Sequence, residues 1–274
     1  MPLIHAIVLG IVQGLSEFLP ISSSGHLAVV PWLFHWNELE ANPALNKTFD
    51  VALHMGTFVG AAAYFWADLT RLIGAAWTSL RHRRVENDEQ RLAWLLLIAS
   101  LPAATIGVIL DSVLQGHYGP VWLIGVMLIV FGLLLWYADH LFGEREVPSF
   151  RLRDALLMGF GQALALQPGV SRSGVTITVG RWLRFDRDAS ARISFLMSLP
   201  IIGGAGVYKG LKLASDGIPA GFGGAFAAGV ITSAVVGFLA VWATLRYVRT
   251  RSFDVFVIYR VIAGLFIIAV AIVR

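Results

Sequence analysis

Gln13 and Glu17 stand four residues apart, a spacing that stacks both side chains on one face of a helix. A carboxylate in that place can hold a divalent cation or act as an acid/base group. The plainer alternative is a carboxylate that snorkels to an interface. Directly after it comes Leu19-Pro20-Ile21-Ser22-Ser23-Ser24-Gly25-His26. Serine at a helix start, followed by free backbone N–H groups, makes an anion-binding end, although some of the three serines need do no more than cap. His26 lies three residues beyond Ser23, about one turn on, within reach as a general base or acid. Further along, Pro168-Gly169-Val170-Ser171-Arg172-Ser173-Gly174-Val175-Thr176 repeats the theme with an arginine between two serines. The guanidinium fork of Arg172 suits phosphate oxygens, and a salt bridge to Glu17 is a compatible second role.

Two helix starts, one Arg, one Glu, one His and several hydroxyls suit a phosphate-like anion. A pathway for metal cations would instead be lined by rings of carboxylates. Ser, His and Arg together favour phosphoryl transfer, as nucleophile, acid/base and charge stabiliser. A transporter or flippase for a phosphate-bearing lipid or another anion is the alternative, because broken-helix repeats also serve alternating access. Asp50 and His54, again four apart, are either a cap with its partner or part of the rim. Asp111, Lys209, Lys212 and Arg260 read as structural pairs near span ends, and Gly203-Gly204, Gly206 and Gly223-Gly224 as close helix contacts.

These residues need elements to hold them, and the composition says which. The chain has 274 residues, 57% hydrophobic and only 14% charged. Soluble domains carry roughly 25% charged residues. Six apolar stretches of spanning length are read at 49–67, 92–112, 121–141, 189–212, 219–246 and 253–273. Two more regions, 3–34 and 152–184, are interrupted by the polar motifs above and read as re-entrant helical hairpins. The fold class expected is an all-α integral membrane protein, one domain over 1–274. Sliding the first interruption by 149 residues pairs Gly10 with Gly159, Gln13 with Gln162, Ser22 with Ser171, Ser24 with Ser173 and Gly25 with Gly174. Each hairpin is followed by three spans, an odd number, so repeat two (about 152–274) lies upside down relative to repeat one (about 1–141).

Of the 21 Lys and Arg residues, fifteen fall in the loops 68–91, 142–153, 181–192 and 246–252. Only Lys47, Lys209, Lys212 and Arg274 fall on the other side, and Arg172 and Arg260 lie inside the apolar regions. That asymmetry assigns the four loops to the cytoplasm and both termini to the outside. The isoelectric point near 9.7 therefore reflects loop charge and not a nucleic-acid partner. With no cysteine, thiolate metal sites and disulfides are excluded. The first residues carry no basic n-region or cleavage site and are expected to stay in the protein.

At these residues the sequence resembles the undecaprenyl-diphosphate phosphatase family, also called the bacitracin-resistance protein family. Gln13-Gly14-Leu15-Ser16-Glu17 is similar to its (E/Q)xxxE motif, and Pro168 to Thr176 to its PGxSRSxxT motif. The resemblance covers essentially the whole chain. It implies removal of the terminal phosphate of a C55 polyprenyl diphosphate, giving the lipid carrier monophosphate used in cell-wall synthesis. It also implies a divalent cation, Mg2+ or Ca2+, held by Glu17 with Gln13. By position, Ser23 would be the nucleophile, His26 its proton partner and Arg172 the clamp on the diphosphate. Gln13, Ser22, Ser24, Ser171, Ser173 and Thr176 would line the phosphate pocket. The partners implied are the polyprenyl diphosphate and membrane lipid, and a homodimer is compatible. The place implied is the bacterial cytoplasmic (inner) membrane, with the site facing the periplasmic side. Gln at position 13, where many relatives have Glu, brings no charge and lowers the expected metal affinity.

Overall fold

A computed structural model describes residues 1–36, 43–114, 119–216 and 222–274. The side chains of Asp111, Lys209 and Lys212, expected to pair near span ends, lie outside the described residues, as does that of Lys47. The chain folds into α1 (Leu3–Phe18), α2 (Ser23–Phe34), α3 (Pro43–Tyr64), α4 (Trp66–His82), α5 (Asp88–Leu114) and α6 (Val121–Asp139). A 3-10 turn at Val147–Ser149 leads to α7 (Leu152–Leu164), α8 (Arg172–Trp182), α9 (Arg187–Asp216), α10 (Gly223–Val248) and α11 (Asp254–Val273). Among the described residues there is no β-strand, only one isolated bridge between Arg145 and Phe185.

Among the described residues five helices, α5, α6, α9, α10 and α11, are long and apolar enough to cross a membrane. The chain is a multi-pass helical membrane protein. The sixth expected span, 49–67, becomes α3 and is not among those five. Its Asp50, His54 and Thr57 lower its hydropathy, and His54 and Thr57 turn towards α1, as described below. A second departure is the loop expected at 68–91. Most of it is helix α4, which starts after a single non-helical residue, Phe65.

Both interruptions fall where the sequence puts them. Leu19 leaves α1 in extended conformation, and a second helix starts at Ser23. Of the five pairs in the 149-residue offset, Ser22 with Ser171 and Gly25 with Gly174 share local geometry, whereas Gln13 and Ser173 make bonds that Gln162 and Ser24 do not repeat among the described residues. Ser22 and Ser171 both take positive φ, 79° and 72°, and their hydroxyls accept from Gly25 N and Gly174 N. A left-handed backbone costs a serine strain, which the caps and contacts around it must offset. The offset pair Gly10 and Gly159 likewise mark close crossings. A Cβ there would sit 2.7 Å from Gly229 O of α10 and 2.5 Å from Ala99 O of α5. Of the other glycines, Gly203 and Gly206 do face side chains of α3, but Gly204, Gly223 and Gly224 make no close helix contact among the described residues.

The four arginine-rich loops meet at one end of the bundle. Arg91 donates to Pro148 O at 2.8 Å, Arg145 to Leu183 O at 2.9 Å, Arg192 to Asp68 at 2.7 Å and Arg249 to Asp188 at 3.1 Å. Asp139, wholly buried there, accepts from Arg187 at 2.7 and 3.1 Å and from Phe253 N at 2.9 Å. At the other end Arg274 donates to Trp32 O and Leu33 O of α2.

Candidate active site

The Glu17 carboxylate is buried at the end of α1, where a bare charge would be costly, and every neighbour offsets it. Oε2 accepts the Ser23 hydroxyl at 2.7 Å and the Gln13 amide at 3.0 Å, the latter through the i, i+4 stacking expected from spacing. Oε1 accepts Arg172 Nη2 at 3.2 Å, from a residue 155 positions away. Arg172 also donates to Glu17 O at 3.4 Å and to Ser194 O at 3.3 Å. The buried pair is thus hydrogen-bonded from several directions, which such a pair needs in order to persist. The N-termini of α2 and α8 converge at this point, because Ser23 and Arg172 are the first residues of those helices. Helix starts present unpaired N–H groups and positive dipole ends to an anion.

His54 joins the site from α3. Its Nδ1 lies 2.7 Å from Asp50 O, and its Nε2 lies 3.5 Å from Glu17 Oε2. The sequence left this residue between cap partner and rim, and tertiary packing puts it at the carboxylate. His26 goes elsewhere. Its Nδ1 lies 2.7 Å from Ser22 O and its Nε2 2.6 Å from Tyr259 Oη, so both ring nitrogens are taken and neither meets Ser23. The hydroxyl partner of Ser23 is Glu17, not His26. Tyr259, 233 residues from His26, carries no local signal that would have singled it out.

The remaining hydroxyls of the two motifs mostly hold the breaks together. Ser22 Oγ accepts from Gly169 N at 3.1 Å, tying the first turn to the second. Ser173 donates to Leu19 O at 3.0 Å and lies 3.3 Å from Ser171 Oγ. Thr176 donates to Arg172 O at 2.8 Å and lies 2.6 Å from Ser194 Oγ. Ser22, Ser171, Ser173 and Thr176 are all buried. Ser24 is half-buried, with its hydroxyl uncommitted among the described residues.

Arg260 is the residue that sequence reasoning undervalued. It is wholly buried and has no acidic partner among the described residues. Its guanidinium donates to Pro20 O at 2.9 Å in the first break and to Gly169 O and Val170 O at 2.9 and 3.0 Å in the second. Nε reaches Leu128 O of α6 at 2.9 Å. One cation therefore clasps both interrupted segments from behind. Because Arg172 is balanced by Glu17, Arg260 leaves the junction with net positive charge.

For a divalent cation, the fitting donors are a Glu17 carboxylate oxygen and Gln13 Oε1, a buried acceptor that no donor satisfies among the described residues. Hard cations such as Mg2+ and Ca2+ take oxygen ligands of this kind, often one or two from protein with the rest from phosphate or water. Among the described residues no cluster of three His, Asp or Glu side chains forms a closed metal cage.

A hydroxyl on a buried carboxylate, a bridging arginine and two converging helix starts, all set within apolar helices, have the chemistry that suits a phosphorylated ligand. The chain belongs to the family described as Bacitracin resistance protein BacA, whose model matches residues 6–266. It is 46% identical to a protein named undecaprenyl-diphosphatase from Pelotomaculum thermopropionicum, over 100% of this chain and 98% of that one. Proteins of the same name from Desulforudis audaxviator and Geobacter sulfurreducens are 45% and 47% identical, each aligned over at least 96% of both chains.

Proposed function

We propose that this chain hydrolyses undecaprenyl diphosphate to undecaprenyl phosphate and inorganic phosphate, recycling the lipid carrier of cell-wall synthesis. The observation that carries the reading is the Ser23 hydroxyl hydrogen-bonded at 2.7 Å to Glu17, which Arg172 contacts at 3.2 Å. In this mechanism Ser23 Oγ attacks the terminal phosphorus and its proton passes to Glu17. The bond from that phosphorus to the bridging oxygen breaks, and the lipid monophosphate leaves. Water then attacks the phosphoserine, and Glu17 returns the proton to Ser23 Oγ as inorganic phosphate departs. Once Glu17 is protonated, the Arg172 guanidinium is released from its partner to hold phosphate oxygens, alongside the helix N-termini. Glu17 Oε1 and Gln13 Oε1 would hold the divalent cation, which when bound neutralises diphosphate oxygens, while Oε2, the oxygen that faces Ser23, takes the proton. His54 closes the carboxylate's remaining side. Ser22, Ser171, Ser173 and Thr176 act by fixing the two turns.

The finer architecture in this reading is six crossing helices, with α3 as the sixth, and two re-entrant hairpins, α1–α2 and α7–α8, in an inverted repeat. The arginine-rich end faces the cytoplasm of a bacterial inner membrane, and the site opens to the outer side. The meeting of the four basic loops at one end supports that orientation.

The test is phosphate release from undecaprenyl diphosphate by purified protein in detergent, with Mg2+ or Ca2+ and then with EDTA. Release is expected to require the cation and to vanish in Glu17→Ala, Ser23→Ala and Arg172→Ala. Wild-type turnover in Ser23→Ala would replace the serine by an attacking water. No release under any metal, with lipid still bound, would favour transport.

A further inference from the structure

Helix α4 takes no part in the site, yet its surface is organised. Both of its ends are fastened at the arginine-rich end of the bundle. Near its start Asp68 accepts Arg192 at 2.7 Å, and near its finish Ser79 accepts the Trp94 indole at 3.1 Å. Seventeen residues long, it therefore lies across that end instead of running through the bundle. Leu72 and Ser79 are buried, with Leu69 and Ala76 packed beside them. Trp66, Ile73, Trp77 and Leu80 are 66, 66, 67 and 58% exposed. At about 100° per residue these four fall within a strip roughly 60° wide. Arg71, Thr78 and His82 lie on the far side of the helix from the strip.

An exposed strip of two tryptophans and two aliphatics, beside a basic face, is the make-up of a helix lying in a membrane interface. The charges name the surface it fits. Arg71 and Arg84 are paired, with Asp68 and Glu89 and with Glu86 respectively. Arg81 and Arg83 are exposed and have no acidic partner among the described residues. They flank the Trp77–Leu80 end of the strip, where long basic side chains reach headgroup phosphates while their stems cover apolar surface.

We propose that α4 docks on the anionic headgroup surface of the leaflet at the arginine-rich end, with Trp66, Ile73, Trp77 and Leu80 in the acyl boundary and Arg81 and Arg83 on lipid phosphates.

The absence of cysteine makes the test clean. Spin labels are attached to Trp77→Cys and, separately, Thr78→Cys in full-length protein, reconstituted in bilayers of phosphatidylcholine with added phosphatidylglycerol. The label at 77 is expected to be reached by oxygen and shielded from a water-soluble nickel chelate, and the label at 78 the reverse. Selective retention of phosphatidylglycerol over phosphatidylcholine is expected to fall by about fivefold for each arginine removed in R81Q and R83Q. Equal nickel access at both sites would show the helix standing in water and overturn the proposal. Shielding of position 77 from both reagents would mean that a second copy or another protein covers the strip, which also overturns it. Unchanged lipid selectivity in R81Q/R83Q would remove the headgroup contacts.

Discussion

Replacing Arg260 is the sharpest test of how the site is held. In Arg260→Met the apolar bulk remains, but the carbonyls of Pro20, Gly169 and Val170 lose their donor. Each buried acceptor left unpaired costs about 1–3 kcal/mol, so three set a range of roughly 3–9 kcal/mol. Water entry and backbone relaxation move the result towards the lower end, about 3–5 kcal/mol, still among the larger effects of a single substitution. The loss falls on the two turns that start α2 and α8, so Ser23 and Arg172 lose their relative placement. Turnover depends on that placement, and a misplacement of about 1 Å costs on the order of 100-fold. Arg260→Lys keeps the charge but cannot span both breaks, and is expected to recover part of the stability and little of the rate. The assay is tryptophan-monitored thermal unfolding in detergent, run beside phosphate release at saturating cation. If Arg260→Met unfolds and turns over like the wild type, the clasp is not what positions the site.

Two further outcomes follow from particular contacts. Gln13→Glu places a second carboxylate beside Glu17 and Gln13 Oε1's position, so the cation concentration giving half-maximal phosphate release is expected to drop; an unchanged requirement would take position 13 out of the metal site. Asp139→Asn weakens the pairing of Arg187 and Arg181 around a wholly buried group, and breaking such a pair costs about 3–5 kcal/mol. A lowered unfolding temperature is expected, with kcat intact in the protein that stays folded, because this cluster lies at the arginine-rich end; a selective loss of kcat at normal stability would tie it to the reaction.

Composition and apolar run length were enough to specify a helical membrane protein, because bilayer-depth backbone has to bond within its own segment. The positions of both breaks were legible too, since Pro, Gly and serine runs inside apolar stretches have few other uses. Gln13 and Glu17 meet through helical periodicity, a property of four residues. Helix α4 is not legible in the sequence because its pattern is split three ways, among core, lipid-like exposure and polar face, and so reads as a charged loop with scattered aromatics.

What spacing could not supply was who faces whom across the bundle. Ser23 stands closer in sequence to His26 than to Glu17, yet it bonds to Glu17, because the break turns α2 back over the end of α1. His26 is drawn instead to Tyr259 on the last helix. Arg172 finds Glu17 across 155 residues, and Arg260 finds both breaks, because each buried cation must satisfy its donors with whatever acceptors helix packing leaves nearby. Residue type alone says which groups are costly to bury. The tertiary structure decided their partners, since desolvation makes pairing obligatory but only the helix crossings bring a particular partner within 3 Å or so.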